Sequence, residues 1–223
     1  MINANPQGQT SVCPLCQNSN CVYYHHDNKR EYRKCLTCEL IHVPKKHHLS
    51  AEEEKSLYDL HINSPSDQGY RKFLQRFLTP LLAELKQPAH GLDFGSGPGP
   101  TLSVMLNELG FPCQNYDIFY DKNDALLIPL HYDFVTSTEV VEHLVYPAIE
   151  FDRLFSLLKP SAVLAIMTKR SDTLERFKTW HYIQDPTHIV FYNETTFRWI
   201  AKKFNASVHF PEKDVTIFKK LPN

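Results

Sequence analysis

Glycine is scarce in this chain: seven residues in 223, against fifteen prolines. Long apolar runs are missing. Nothing approaches the roughly 18 consecutive apolar residues of a membrane helix, and the purest stretch, Ala162 to Met167, is strand-sized. No sign of charge dominates. Lys and Arg number 24 and Asp and Glu 25, a net −1, which excludes a wholesale polyanion binder of the histone kind. Met1-Ile2-Asn3-Ala4-Asn5-Pro6 has no charged start followed by an apolar stretch, so no secretory leader is expected and a cytoplasmic setting is. A Gly-x-Ser-x-Gly elbow is absent, which leaves Ser/His/Asp hydrolysis without support.

What is present allows a packed protein. Hydrophobic residues make up 42% of the chain and aromatics 12%, which excludes disorder throughout. The length fits one large domain with a small appendage. Six cysteines in a cytoplasmic protein read first as thiols or metal ligands. Four fall in two pairs, Cys13-Pro14-Leu15-Cys16 and Cys35-Leu36-Thr37-Cys38, with eighteen residues between. This is the spacing of a structural zinc site, in which two tight turns bring four thiolates around one ion. The alternating segments Val22-Tyr23-Tyr24 and Glu31-Tyr32-Arg33 read as short ribbon strands. Cys21 and Cys113 lie outside the pattern and read as packing thiols. Lys29, Arg30, Arg33, Lys34, Lys45 and Lys46 outnumber Asp27, Glu31 and Glu39. This mildly basic face leaves nucleic acid open as a partner, although the net charge does not indicate it.

Ser50 ahead of Glu52, Glu53 and Glu54 predicts a capped helix. A second helix is expected from about Gly69 to Leu85, kinked or divided at Pro80. The chain thus divides into a ribbon over 1–48, a helical linker or lid over 49–88, and a main domain over 89–223.

Four of the seven glycines lie between 91 and 99, in Gly91-Leu92-Asp93-Phe94-Gly95-Ser96-Gly97-Pro98-Gly99. A strand ending near Asp93 and a helix starting near Thr101 would put these glycines where the backbone turns tightly and a ligand approaches. The dinucleotide fingerprint fails, because its third glycine falls on Pro100, and no P-loop Gly-Lys-Ser/Thr follows. Asp-x-Gly-x-Gly-x-Gly resembles the first motif of the class I S-adenosylmethionine-dependent methyltransferases, over roughly residues 70 to 220.

The resemblance implies an α/β, Rossmann-like, mostly parallel seven-stranded sheet with helices on both faces, preceded by the zinc ribbon. Only fifteen residues separate Asp117 from Asp133, so the third strand and its helix are expected in abbreviated form. Strands are expected at 132–137, 162–167, 207–210 and 215–219, and helices at 146–158 and 194–203. The turn where the family usually has Pro-Gly-Gly is Pro160-Ser161-Ala162 here. The resemblance further implies S-adenosylmethionine as cofactor. Asp93 would face its amino group, Gly95, Ser96, Gly97 and Gly99 would line its methionine and ribose portions, Asp117 would bind the ribose, and Glu139 would complete the site. The methyl acceptor is not named by the sequence.

Two clusters are candidates for the acceptor side. Glu139-Val140-Val141-Glu142-His143 follows the fourth strand. If helical, Glu139, Glu142 and His143 share one face and suit a divalent cation. The pattern resembles the Glu-x-x-Glu-His of small-RNA 3′-end methyltransferases and ubiquinone-pathway O-methyltransferases. Its plainer reading is hydrogen bonding to nearby loops. The second cluster runs from Trp180 to Tyr192, where aromatics would form a pocket and Asp185 or His188, with His143, would serve as catalytic groups. The competing function is a zinc-ribbon binding module whose nucleotide-fold domain holds the cofactor without methyl transfer.

Overall fold

The computed structural model describes residues 12–60 and 63–222. The Met1–Pro6 segment read above for a leader lies outside the described residues. Among them, no helix is long and apolar enough to cross a membrane.

The ribbon consists of β1 (Cys21–His26), β2 (Glu31–Cys35) and β3 (Ile41–His42), paired antiparallel. Helix α1 (Ala51–Tyr58) follows. Its N-cap Ser50 accepts from the Glu53 amide, and the Glu53 carboxylate accepts from the Ser50 amide in return. Helix α2 (Gln68–Glu84) is capped by Asp67 and runs unbroken through Pro80, so the expected division there does not occur.

The large sheet begins with β4 (Gly91–Phe94), α3 (Thr101–Glu108) and β5 (Cys113–Tyr116). It continues through β6 (Tyr132–Thr138), α4 (Pro147–Leu157) and β7 (Leu158–Met167). Helix α5 (Leu174–Lys178) and the two-residue β8 (Val190–Phe191) precede α6 (Glu194–Lys203), β9 (Ala206–His209) and β10 (Val215–Lys220). The strand order is β5-β4-β6-β7-β10-β9. The first four are parallel to one another, and β10 runs antiparallel to both neighbours.

Alternation along β7 explains the layers. Val163, Ala165 and Met167 pack with Phe77 and Leu81 of α2 and Leu102 and Leu106 of α3. Leu164 and Ile166 join the opposite core with Phe151 and Leu154 of α4 and Phe197 and Ile200 of α6. Helices therefore cover both faces, as expected. The abbreviation expected between Asp117 and Asp133 reduces the seven-stranded plan to six strands. Among the described residues, the segment between β5 and β6 holds a single 3-10 turn, Asp124–Leu126, and no strand. Fifteen residues are too few for a strand, a covering helix and two turns.

The expected turn at Pro160-Ser161 lies inside β7, where Ser161 takes the left-handed conformation (φ 64°) that glycine would adopt at no steric cost. A further feature was not expected. β8 pairs with β3, Ile41 opposite Phe191 and His42 opposite Val190, so the ribbon sheet is completed by a strand from far along the chain.

Candidate active site

The strand order reverses at β4, whose neighbours are β5 on one side and β6 on the other. The crevice at the carboxyl ends of β4 and β6 is where open α/β sheets take ligands. The glycine turn leaves β4 there. Gly95 donates to the Tyr116 carbonyl at 2.7 Å. Gly97 has φ 65°, and a Cβ built on it would meet nothing within 4 Å. By contrast, a Cβ on Gly95 would strike Val140 and one on Gly99 the Asn63 carbonyl. Of the three, only Gly97 faces open space.

Asp117, 7% exposed, follows β5 directly and clasps this turn. Its Oδ2 accepts from the Gly97 amide at 2.8 Å, and its Oδ1 accepts from the amides of Phe119 and Tyr120. Asp93 is buried and accepts from the Thr136 hydroxyl at 2.7 Å. Burial pushes its carboxyl up to about 7 despite that bond. The Ser96 hydroxyl oxygen is buried without a hydrogen-bond partner among the described residues.

A cavity of about 450 Å³ is reached from the turn through Asn63, which lines it and whose carbonyl lies against Gly99. Tyr58 of α1, Tyr70 and Phe73 of α2, Lys169 after β7, and His181 and Tyr182 of the following loop line it, together with Asn63, Glu139, His143, Asp185, Thr187 and His188. Tyr70 borders both regions, since burial, Asp93 and Glu139 together push its hydroxyl up to about 12. Helix α1 is moored over the cavity. Tyr58 meets the His143 ring edge-on at 5.3 Å, and Asp59 accepts from the Tyr120 hydroxyl at 2.7 Å. A larger, more open hollow, about 690 Å³ in volume, lies at the amino ends of β4 and β6 around the His90–Asp133–Lys159 ion pairs, away from the glycine turn.

Acidic and imidazole groups meet at the cavity wall, with Glu139, His143 and His188 lining it and Glu142 behind them. Glu139 is not on a helix. It sits at φ 53°, and only Val141–His143 form a 3-10 turn. The shared helical face expected for Glu139, Glu142 and His143 is therefore absent. Instead, the ligand atoms of Glu142, His143 and His188 lie within 4.8 Å of one another. Glu142 is wholly buried and accepts a very short hydrogen bond from the Tyr182 hydroxyl. Its other oxygen, and Glu139 Oε1, are buried without a partner among the described residues. Burial raises Glu142 to about 7, and burial with the neighbouring Glu142 charge raises Glu139 to about 8. Tyr182, raised far above its ordinary value by burial and these two acids, keeps its proton and donates.

His143 and His188 each engage a backbone carbonyl through Nδ1, Thr187 at 3.1 Å and Tyr182 at 2.7 Å. Their rings are 4.8 Å apart. Burial, then the nearby His143, lowers His188 to about 4. His188 is thus neutral at pH 7, with its Nδ1 proton given to the carbonyl and its lone pair on Nε2. Asp185 Oδ2 lies 3.8 Å from that nitrogen. Although burial opposes it, the Thr187 hydroxyl and amide hold Asp185 below its ordinary value. The loop expected over the cavity is there, with Asp185 and His188 on it.

The four ribbon cysteines also converge. Cys13 and Cys38 sulfurs are 3.6 Å apart and those of Cys16 and Cys35 are 3.4 Å apart, all four within 4.8 Å of one another. Four thiolates about 2.3 Å from one tetrahedral ion stand about 3.8 Å from each other. The arrangement is therefore compatible with a zinc ribbon.

Three residues around the cavity left no sign in the sequence. Lys169, whose Nζ is 2.8 Å from His181 Nε2, follows an ordinary core strand. Arg30 sits in the ribbon yet reaches the loop that carries Asp185 and His188. Tyr182 stood out only as one aromatic among several. Arg71, beside Tyr70, turns to Glu108 instead of the cavity.

A family profile described as a methyltransferase domain matches residues 67–209. The PH0226 protein of Pyrococcus horikoshii aligns in three dimensions at 16% identity, TM-score 0.51, covering 71% of this chain and 93% of that one. An S-adenosylmethionine-dependent methyltransferase of Archaeoglobus fulgidus does so at 20% identity, TM-score 0.51, covering 69% and 100%. No curated protein matches the chain. The two structures share the fold, and the profile covers well over half of the sequence: the chain belongs to the S-adenosylmethionine-dependent methyltransferase family.

Proposed function

We propose that the chain methylates an acceptor seated in the aromatic cavity, with a divalent cation held by Glu142, His143 and His188. The observation that carries this reading is the meeting of those three groups at the cavity wall, His143 and His188 lining it and Glu142 buried behind them. S-adenosylmethionine, when bound, supplies an electrophilic methyl on a sulfonium. Asp93, Gly95, Ser96, Gly97, Gly99 and Asp117 would hold it: Gly97 leaves open space, Ser96 offers a hydroxyl with no partner among the described residues, and two carboxylates flank the turn. Glu139, between turn and cavity, would serve both partners.

One carboxylate and two imidazoles make a borderline donor set suited to manganese, iron or zinc. Such an ion would lower the pKa of an acceptor hydroxyl. Asp185 would orient that hydroxyl and receive its proton, while His188, its Nε2 lone pair given to the ion, would help to place it. Tyr58, Tyr70, Phe73 and Tyr182 offer ring faces, so a flat acceptor is favoured over a flexible chain. The ribbon cysteines would hold structural zinc.

The test is transfer of labelled methyl from S-adenosylmethionine to fractionated small molecules, RNA and protein, with and without manganese. Transfer that Glu142→Gln and His143→Ala lower, and that excess manganese partly restores, supports the reading. Tight cofactor binding with no transfer to any fraction would favour the non-catalytic binding module.

A further inference from the structure

We infer that Arg30 is a positioning residue for the acceptor side, and that the ribbon serves as the brace of the loop carrying Asp185 and His188. The inference rests on the reading of the cavity as the acceptor site, and it gives the ribbon a role in that site.

Arg30 is 6% exposed, and no carboxylate among the described residues pairs with it. Its guanidinium is spent on backbone oxygens. Nη1 donates to the carbonyls of Pro186 and His188, both at 3.0 Å. Nη2 donates to those of Ile183 at 2.5 Å and Asp185 at 2.9 Å. Four carbonyls from six consecutive residues therefore converge on one planar cation from more than 150 residues away. Only a guanidinium offers enough donors in one plane for this; a lysine has three, arranged around a point.

The hairpin tip is itself fixed. Asp27 Oδ1 accepts from the amides of Lys29 and Arg30, and its Oδ2 accepts from the Tyr32 hydroxyl at 2.5 Å. Below the loop, Ile189 donates to the Glu142 carbonyl at 2.9 Å and His143 engages the Thr187 carbonyl. The loop is thus strung between the ribbon and the turn that carries Glu142 and His143. Remove the guanidinium and the carbonyls lose their shared donor, while the glycine turn, which Arg30 does not touch, keeps its bonds.

The test uses the full chain with its ribbon metal, comparing wild type with Arg30→Lys and Arg30→Ala. Three quantities are read: affinity for S-adenosylhomocysteine, affinity for manganese added alone, and amide hydrogen exchange over residues 183–189. In Arg30→Ala, manganese affinity should fall about tenfold or more, as for loss of a group that orients a metal ligand. Loop exchange should rise by a similar factor. Arg30→Lys should fall between, and S-adenosylhomocysteine affinity should stay within about twofold of wild type, a pattern that general unfolding cannot give. Wild-type manganese affinity and loop exchange in Arg30→Ala would overturn the inference. So would parallel loss of S-adenosylhomocysteine binding. A wild type that binds no manganese removes the cation site proposed above, not the brace. Loop exchange then decides alone: raised in Arg30→Ala supports the brace, unchanged overturns it.

Discussion

The Tyr182 hydroxyl donates to the Glu142 carboxylate across forty residues of sequence, and both side chains are buried. This bond is the main stabiliser of the Glu142 anion, because burial works against it. Tyr182→Phe keeps the ring and removes the donor. It should cost about 1 to 3 kcal/mol, read from denaturant midpoints. Unchanged stability would mean that the hydroxyl does not serve Glu142.

The same acid predicts a pH dependence in chelator-treated protein. Its folded value, about 7, lies above the ordinary 4.5, so the fold holds the proton more tightly than the unfolded chain does. The contribution of Glu142 to stability should be greatest below about pH 4.5, decline as pH rises, and level off above about pH 7. Glu142→Gln should flatten that part of the profile. Urea titrations across this range in both proteins make the comparison.

Asp117 is the acid we propose for the cofactor ribose. Asp117→Asn preserves shape and removes charge, so S-adenosylhomocysteine should bind roughly ten- to hundredfold more weakly by calorimetry. Equal affinity would take Asp117 out of the cofactor site.

Two glycines of the turn should answer differently. At Gly97 a methyl group meets no atom but must adopt a left-handed backbone, at a cost of about 1 to 2 kcal/mol. At Gly99 it would strike the Asn63 carbonyl, 2.1 Å from the ideal Cβ position. Gly97→Ala should weaken S-adenosylhomocysteine more than it lowers Tm, and Gly99→Ala the reverse. Melting curves with and without S-adenosylhomocysteine separate the two.

Cys13→Ser with Cys38→Ser should abolish an equivalent of tight zinc, measured with a chromogenic chelator. Cys13, Cys35 and Cys38 lie in one core with Leu164 and Phe197 of the large domain. Loss of the metal should therefore lower Tm and loosen residues 183–191 as well as the ribbon. Zinc retained by the double variant would refute the four-sulfur assignment.

Much of this was legible in the sequence for physical reasons. The glycine turn, the paired cysteines and the apolar run of β7 are local patterns, and local patterns survive without a partner in view. The cap at Ser50 belongs to the same class. Glu139 misled because its spacing to Glu142 and His143 suits a helix, whereas the chain enters a left-handed turn there. His188 joins Glu142 and His143 only through folding, and no spacing encodes that. β8 is two residues long, too short for alternation to register. Arg30 looked like surface charge, because its partners are main-chain carbonyls and carry no side-chain signature.

The pairing of β3 with β8 also bears on the order in which the protein is made. The ribbon leaves the ribosome before the large sheet, and the strand that completes its own sheet and the carbonyls that satisfy Arg30 are synthesised more than 140 residues later. During that interval the hairpin has no fourth strand, and Tyr32 and Ile41 lack Phe177 and Phe191 to pack against. So small a unit cannot bury enough surface to stand alone. Four thiolates closed on an ion would keep it in register until the rest of the chain arrives.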